Sequence, residues 1–131
     1  LIVLDTHAWL WWLSDPGKLS RRASSAIDAS LGAAAVYVSS ISAWEVTLLV
    51  RKGRLTLRMP VEEWIARSEG LAFVRFVPVD NRIAVRSNSL AAPIHDDPAD
   101  RMIVATALAL GAGLVTKDQR LRRYRHVKTI W

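Results

Sequence analysis

In a basic chain, the places where acids fall carry information. The 131 residues include 18 Lys+Arg and 12 Asp+Glu, a formal charge of +6. Four of the acids, Asp5, Glu45, Asp100 and Asp118, come from distant segments, yet the pattern of elements described below predicts that they converge. Clustered carboxylates are hard oxygen donors that suit Mg²⁺ or Mn²⁺. Such an ion polarises a phosphoryl oxygen and generates hydroxide near neutral pH. The chemistry this points to is cleavage of a phosphodiester, with the basic remainder of the chain attracting the polyanion. Zinc is disfavoured, because there is no Cys and the three His are scattered at 7, 95 and 126.

The elements that must position these acids follow from hydrophobic periodicity. LIVL (1–4) is continuously apolar, as expected of a strand buried on both faces. After Asp5-Thr6, HAWLWWL reads as helix. Ser20 caps a second helix, RRASSAIDASL, which closes near Gly32. VYVSS (36–40) is a β-branched strand, and Ser42 opens the helix AWEVTLLVRK. Pro60 opens VEEWIARSEG. FVRFVPV (73–79) alternates like a strand whose end or edge is marked by Pro78. Residues 81–90 read as helix, IHDDP as loop, and Asp97-Pro98 as the start of ADRMIVATALAL, stopped by Gly111 and Gly113. LVT (114–116) is a strand, 118–124 a short basic helix, and VKTIW (127–131) a last strand. This alternation predicts an α/β three-layer sandwich around a mostly parallel sheet, with 1–131 as one domain.

Composition sets further bounds. Hydrophobic residues make up 51% of the chain, enough for a substantial core. No apolar run approaches the roughly 18 residues that span a bilayer, so no membrane association is expected. The absence of cysteine fits a reducing cytoplasm. Neither GxxxxGK[ST] nor GxGxxG occurs, which removes the common nucleotide-binding loops.

Ligands of open α/β sheets bind beyond the carboxyl ends of the strands. Asp5 follows the first strand directly, Asp118 lies two residues past LVT, Glu45 is early in the helix after VYVSS, and Asp100 opens a long helix. Each acid also has a plainer explanation. Asp5 and Asp118 can cap the helices they precede, and Ser42 with Glu45 fits a capping box. Asp97 before Pro98 is a natural cap, and that role suffices for it, beside the acids rather than among them. Capping does not explain why the others share one rim. Four carboxylates about 6 Å apart, at an effective dielectric near 20, repel by roughly 3 kcal/mol per pair. Six pairs sum to roughly 15–20 kcal/mol, above a typical domain stability of about 5–15 kcal/mol. Such a cluster must hold protons or bind a cation.

Around the four acids, Asp97, Thr6 and Thr116 are expected as supporting residues, Thr116 orienting a metal-bound water. His7, Arg101, Arg120, Arg122 and Arg123 are candidate RNA contacts, with Arg125 in the same basic run. Tyr124 either stacks on a base or joins the core. His95 sits beside the rim as a phosphate contact, a proton shuttle or a structural histidine. The six tryptophans are expected in the core or at a dimer surface.

Leu4-Asp5-Thr6-His7, Ile41-Ser42-Ala43-Trp44-Glu45, His95-Asp-Asp-Pro-Ala-Asp-Arg101 and Thr116-Lys-Asp118, with the terminal Val127-Lys-Thr-Ile-Trp131, resemble the PIN-domain ribonucleases of VapC type, the toxins of type II toxin–antitoxin pairs. The likeness spans essentially the whole chain. It implies a PIN fold, Mg²⁺- or Mn²⁺-dependent RNA cleavage, and Asp5, Glu45, Asp100 and Asp118 as the metal-holding catalytic acids. It favours Asp100 over Asp97, because the family's third acid precedes an Arg. The family's serine has three candidate counterparts, Ser39, Ser40 and Ser42. A homodimer and a small antitoxin that blocks the acidic site are also implied. The competing readings are a non-catalytic RNA-binding module of the same fold, a metal-independent nuclease using His7 and His95, and a phosphotransfer domain with Asp5 as nucleophile.

Overall fold

In the computed structural model, which describes residues 1–33 and 35–131, short apolar runs become strands and amphipathic stretches become the helices that cover them. The described elements are β1 (Ile2–Leu4), α1 (Thr6–Ser14), a 3-10 turn (Pro16–Lys18), α2 (Arg21–Leu31), β2 (Val36–Ser39), α3 (Ser40–Arg51), α4 (Val61–Glu69), β3 (Val74–Val77), α5 (Asn81–Ser87), α6 (Pro98–Leu110), β4 (Gly113–Val115), α7 (Gln119–Arg122) and β5 (Thr129–Ile130). The strands form one sheet in the order β3-β2-β1-β4-β5. Every pairing is parallel. Parallel neighbours need crossover connections, and here helices supply them and bury both faces.

β1 shows how the layers are divided. Successive side chains of a strand point to opposite faces. Ile2 and Leu4 join one core with Val36, Val38, Trp9 and Ile27. Val3 joins the other with Ile103, Val104, Leu114 and Leu121. On the first face, the Trp9 ring centroid lies 4.6 Å from that of Trp64 and 5.5 Å from that of Phe76. The expected three-layer sandwich is therefore present.

Helix ends follow local chemistry. Ser20 accepts from the Ala23 amide and Asp97 from the Asp100 amide. α6 stops at Gly111, whose φ of 63° is the left-handed conformation that glycine adopts without a Cβ penalty. Several boundaries differ from expectation: β3 covers only Val74–Val77 of 73–79, α7 only Gln119–Arg122 of 118–124 and β5 only Thr129–Ile130 of 127–131, and β4 begins and ends one residue early. Two further differences bear on the site. α3 starts at Ser40, capped by Ser39, whose hydroxyl accepts from the Ile41 amide. Ser42 is thus inside the helix, and the Ser42–Glu45 capping box does not form. α5 ends at Ser87, short of the expected 90, and its terminal Ser87 carbonyl accepts from Arg101 Nε at 2.9 Å.

The chain leaves β1 for β2 and β3 on one side, then returns to place β4 on the other. Strand order therefore reverses between β1 and β4, the position where open parallel sheets form a crevice. There the Asp5 amide donates to the Val115 carbonyl at 3.1 Å.

Ile103 is fully buried on the α6 face. Ile103→Ala is expected to cost about 2–5 kcal/mol through lost burial and a residual cavity. The midpoint of urea unfolding reads this directly, and an unchanged midpoint would contradict the packing described.

Candidate active site

Asp5, Glu45, Asp100 and Asp118 line a single cleft of about 460 Å³, together with Thr6, His7, Trp11, Asp97, Lys117 and Arg120. Each acid has its own anchor. Asp5 is only 8% exposed and accepts from the Ala8 amide at 2.8 Å, so it does cap α1. The nearby Thr116 hydroxyl favours its ionised form. Glu45, one and a half turns into α3, accepts from the Thr6 hydroxyl. The Thr6 Oγ1 also lies 2.8 Å from the Ser42 hydroxyl. Thr6 has one proton and spends it on Glu45, so Ser42 donates in turn to Thr6. Among the three serines considered, Ser42 is therefore the one linked to the acids.

Asp100 Oδ2 lies 2.6 Å from His95 Nε2. An ionised carboxylate only accepts, so Nε2 carries the hydrogen. Asp118 caps α7, accepting from the amides of Arg120 at 2.8 Å and Leu121 at 3.4 Å. Arg120 also forks onto it, Nε to Oδ1 at 3.3 Å and Nη2 to Oδ2 at 2.9 Å.

The electrostatics follow from burial and crowding. Burial pushes the Asp5 carboxyl up to about 6, and the negative charge of Asp100 adds to the rise, against the lowering bonds from Thr116 and Ala8. Burial likewise raises Glu45 above its ordinary value, opposed by the Thr6 bond and reinforced by Asp100 and Asp97. Asp100 is raised by burial, opposed by the His95 bond, and raised further by Asp97 and Asp118. Asp118, more open, is held below the usual carboxylate range by its bond from Arg120. Three of four acids thus resist ionisation in the metal-free protein, first because they are buried and second because their neighbours carry the same charge.

Among the described residues, no three Asp, Glu or His side chains stand close enough together to form a ready-made ligand set. The donor chemistry still suits a hard divalent ion: five carboxylates, Asp97 among them, line one cleft, and Mg²⁺ binds through one or two carboxylates while keeping several waters.

A family model described as PIN domain matches residues 2–127. The chain belongs to the PIN-domain family. It is 38% identical over 132 residues, 99% of this chain and 98% of the relative, to Ribonuclease VapC22 of Mycobacterium tuberculosis. Two solved structures share the fold: a toxin-antitoxin complex from Klebsiella pneumoniae (TM-score 0.64, 21% identity, 97% of this chain and 95% of that one) and FitAcB from Neisseria gonorrhoeae (TM-score 0.69, 22% identity, 98% and 96%).

This PIN domain does not bring every expected residue to the cleft. Arg101 is committed elsewhere: Nε donates to the Ser87 carbonyl and Nη1 to the His95 carbonyl at 3.2 Å, so it braces the 88–97 loop instead of facing RNA. Arg122 and Arg123 are exposed but do not line the cleft. Tyr124 is buried in the α6-side core and is not a base-stacking platform. His7 and Arg120 do line the cleft, and Asp97 caps α6 at its edge. Thr116 accepts from the Asp118 amide at 3.1 Å, and its hydroxyl favours ionisation of Asp5.

The sequence reading missed Lys117 and Trp11 as cleft residues. Lys117 Nζ sits 5.8 Å from the centre of the Trp11 ring. The spacing in Thr116-Lys-Asp118 offered a signal for Lys117, since a residue between two rim groups stays near the rim. Trp11 had none, because it shares its helix with the buried Trp9.

The raised Asp5 value has a thermodynamic consequence. Its folded value of about 6 exceeds the ordinary 3.8, so the native state binds this proton more tightly than the unfolded chain. Ionising Asp5 therefore lowers stability progressively as pH rises between those values, and the loss is complete above about 6. Asn keeps the cap to Ala8 but carries no charge. Metal-free Asp5→Asn is expected to exceed wild type in stability by roughly 1–3 kcal/mol near pH 7, and to lose that advantage near pH 4. Chemical denaturation in EDTA at both pH values measures it, and equal stability near pH 7 would refute the assignment.

Proposed function

We propose that this PIN-domain protein is an endoribonuclease that cuts RNA phosphodiester bonds with Mg²⁺ or Mn²⁺ and acts as the toxin of a toxin–antitoxin pair. The observation that carries the reading is the convergence of Asp5, Glu45, Asp100 and Asp118 on one cleft. The 38% identical ribonuclease relative and the fold neighbour solved as a toxin-antitoxin complex support the activity and the pairing.

In this reading the four acids hold the metal. A divalent cation bound there supplies Lewis acidity and a hydroxide source. The chain's own residues supply position and charge. Thr6, backed by Ser42, fixes the Glu45 carboxylate, His95 fixes Asp100, and Thr116 fixes Asp5. Asp97 secures the start of α6, which carries Asp100. Arg120, Lys117 and His7 lie where an RNA strand entering the cleft meets them.

The same reading includes an antitoxin that covers the acidic cleft, a homodimer and a cytoplasmic setting, with residues 1–131 working as one domain. Trp44 on α3 and Val85 on α5, 55% and 70% exposed, are apolar surface that a second copy would cover. Among the described residues, no helix is long and apolar enough to cross a membrane.

A cleavage assay on a fluorophore–quencher RNA tests the core of the proposal. Activity is expected with Mg²⁺ or Mn²⁺ and none in EDTA. Asp100→Asn, which can retain the His95 contact, is expected to lose about 100-fold or more. Full activity in EDTA would favour acid–base chemistry by His7 and His95. Full activity of Asp100→Asn would remove that residue from the site.

A further inference from the structure

Among the described residues, Arg120 is the one Lys or Arg side chain within ion-pair distance of any of the four acids. Its guanidinium is bidentate to Asp118, and the same Nη2 lies 3.7 Å from Asp100 Oδ2. One cation thus bridges a carboxylate at the start of α6 to one that follows β4. Both are carboxylates assigned to the metal, and each lone pair given to Arg120 is one withheld from a metal ion.

The attachment is built to be released. The Arg120 side chain is 58% exposed, and an ion pair this open to water holds weakly. Arg101, by contrast, is 16% exposed with its donors on two backbone carbonyls. His95, the other partner of Asp100, is 17% exposed. Of the groups that touch Asp100, Arg120 is the one free to turn into solvent. It sits on the four-residue α7 at the mouth of the cleft, where an RNA backbone would arrive.

We propose that Arg120 is an internal counter-ion that competes with the divalent metal for Asp118 and Asp100 and, once displaced, grips an RNA phosphate. The proposal rests on the metal-dependent ribonuclease reading above. Arg120 holds the two carboxylates in the metal-free protein, limiting their repulsion. It yields them when a divalent ion binds, and its fork then fits the phosphodiester, which it can contact bidentately as it did the carboxylate. Displacement couples the two events. By linkage, whatever frees Arg120 favours RNA, and RNA contact with Arg120 favours the metal.

This assignment sets a sign that a merely structural role would not. If Arg120 only ordered Asp118 as a ligand, removing it would weaken metal binding. If it competes, removing it tightens metal binding. Lys117 serves as the control, since it lines the same cleft and carries the same charge but makes no ion pair with the acids.

The experiment is calorimetric titration of Mn²⁺ into metal-free wild type, Arg120→Ala and Lys117→Ala at fixed ionic strength without RNA. Arg120→Ala is expected to bind Mn²⁺ about fivefold or more tightly than wild type, with Lys117→Ala within about twofold. Unchanged or weaker binding by Arg120→Ala overturns the competition. An equal gain in Lys117→Ala overturns it too, by reducing the effect to the general field. If neither wild type nor Arg120→Ala takes up Mn²⁺ at millimolar concentration, the metal reading itself fails and the competition fails with it.

The second arm measures steady-state cleavage at saturating Mn²⁺. Arg120→Ala is expected to raise KM for RNA about fivefold or more, with Arg120→Lys recovering only part because it lacks the fork. An unchanged KM overturns the phosphate contact.

Discussion

The hydrogen bond from the Asp5 amide to the Val115 carbonyl lies where strand order reverses, between β1 and β4. It extends the parallel pairing one residue beyond the end of β1 and brings the segment after β4 alongside the first acid. Thr116, next in the chain, can then bond Asp5 with its hydroxyl while accepting from the Asp118 amide. α3 and α6 both start at the same rim, because each follows the sheet's parallel polarity or packs beside an element that does. The second turn of α3 delivers Glu45 and the first turn of α6 delivers Asp100. Remove the β1–β4 pairing and no local feature of the chain would bring the four acids together.

Convergence creates a charge problem, and the partners of the acids are best understood as its solution. The acids are not neutralised as a group; each is treated by a different device. Asp5 is buried and spends its lone pairs on a helix cap and a threonine. Glu45 receives a hydroxyl relay from Thr6 and Ser42, Asp100 receives an imidazole N–H, and Asp118 receives a guanidinium. Hydrogen bonds favour the ionised form while burial and neighbouring carboxylates oppose it. Burial wins at Asp5, Glu45 and Asp100; the Arg120 bond wins at the more open Asp118. The spread of the acids among separate anchors accounts for their failure to form a closed ligand set, since a charge held at its own anchor does not collapse onto its neighbours.

Much of this was legible in sequence because it depends on local chemistry. The apolar run 1–4, the cap at Ser20, the Asp97-Pro98 start of α6 and its glycine stop each announce an element whose boundary backbone hydrogen bonding then enforces. The four acids could be picked out because strand and helix ends were predictable, and the rim follows from parallel order. What could not be read was tertiary commitment. Ser42 looked like a cap, but Ser39 lies nearer the strand end and took the role, leaving Ser42 to turn inward to Thr6. Tyr124 was left open between a base-stacking surface and the core, and it is in the core, because α7 ends at Arg122 and the chain then turns Tyr124 inward. His95 was placed near the rim without a role, because its bond to Asp100 spans a loop whose path only packing decides.

Arginine shows the same limit more sharply, and it bears on how a basic protein can host an acidic site. Fourteen of the 18 basic residues are Arg, and sequence treats them alike. In the fold, Arg101 is a half-buried brace for backbone carbonyls, while Arg120, on α7, is the exposed side chain that meets the acids. The two therefore differ in availability, not in charge. The net charge of +6 attracts a polyanion from a distance, but within a Debye length of about 8–10 Å the cleft presents carboxylates of the same sign as a phosphate. Long-range attraction and short-range repulsion thus act on the same strand. On the proposed ribonuclease reading, an RNA would rest on the basic surface without entering, and its phosphate would reach the acids only once a cation at the cleft had reversed the local sign.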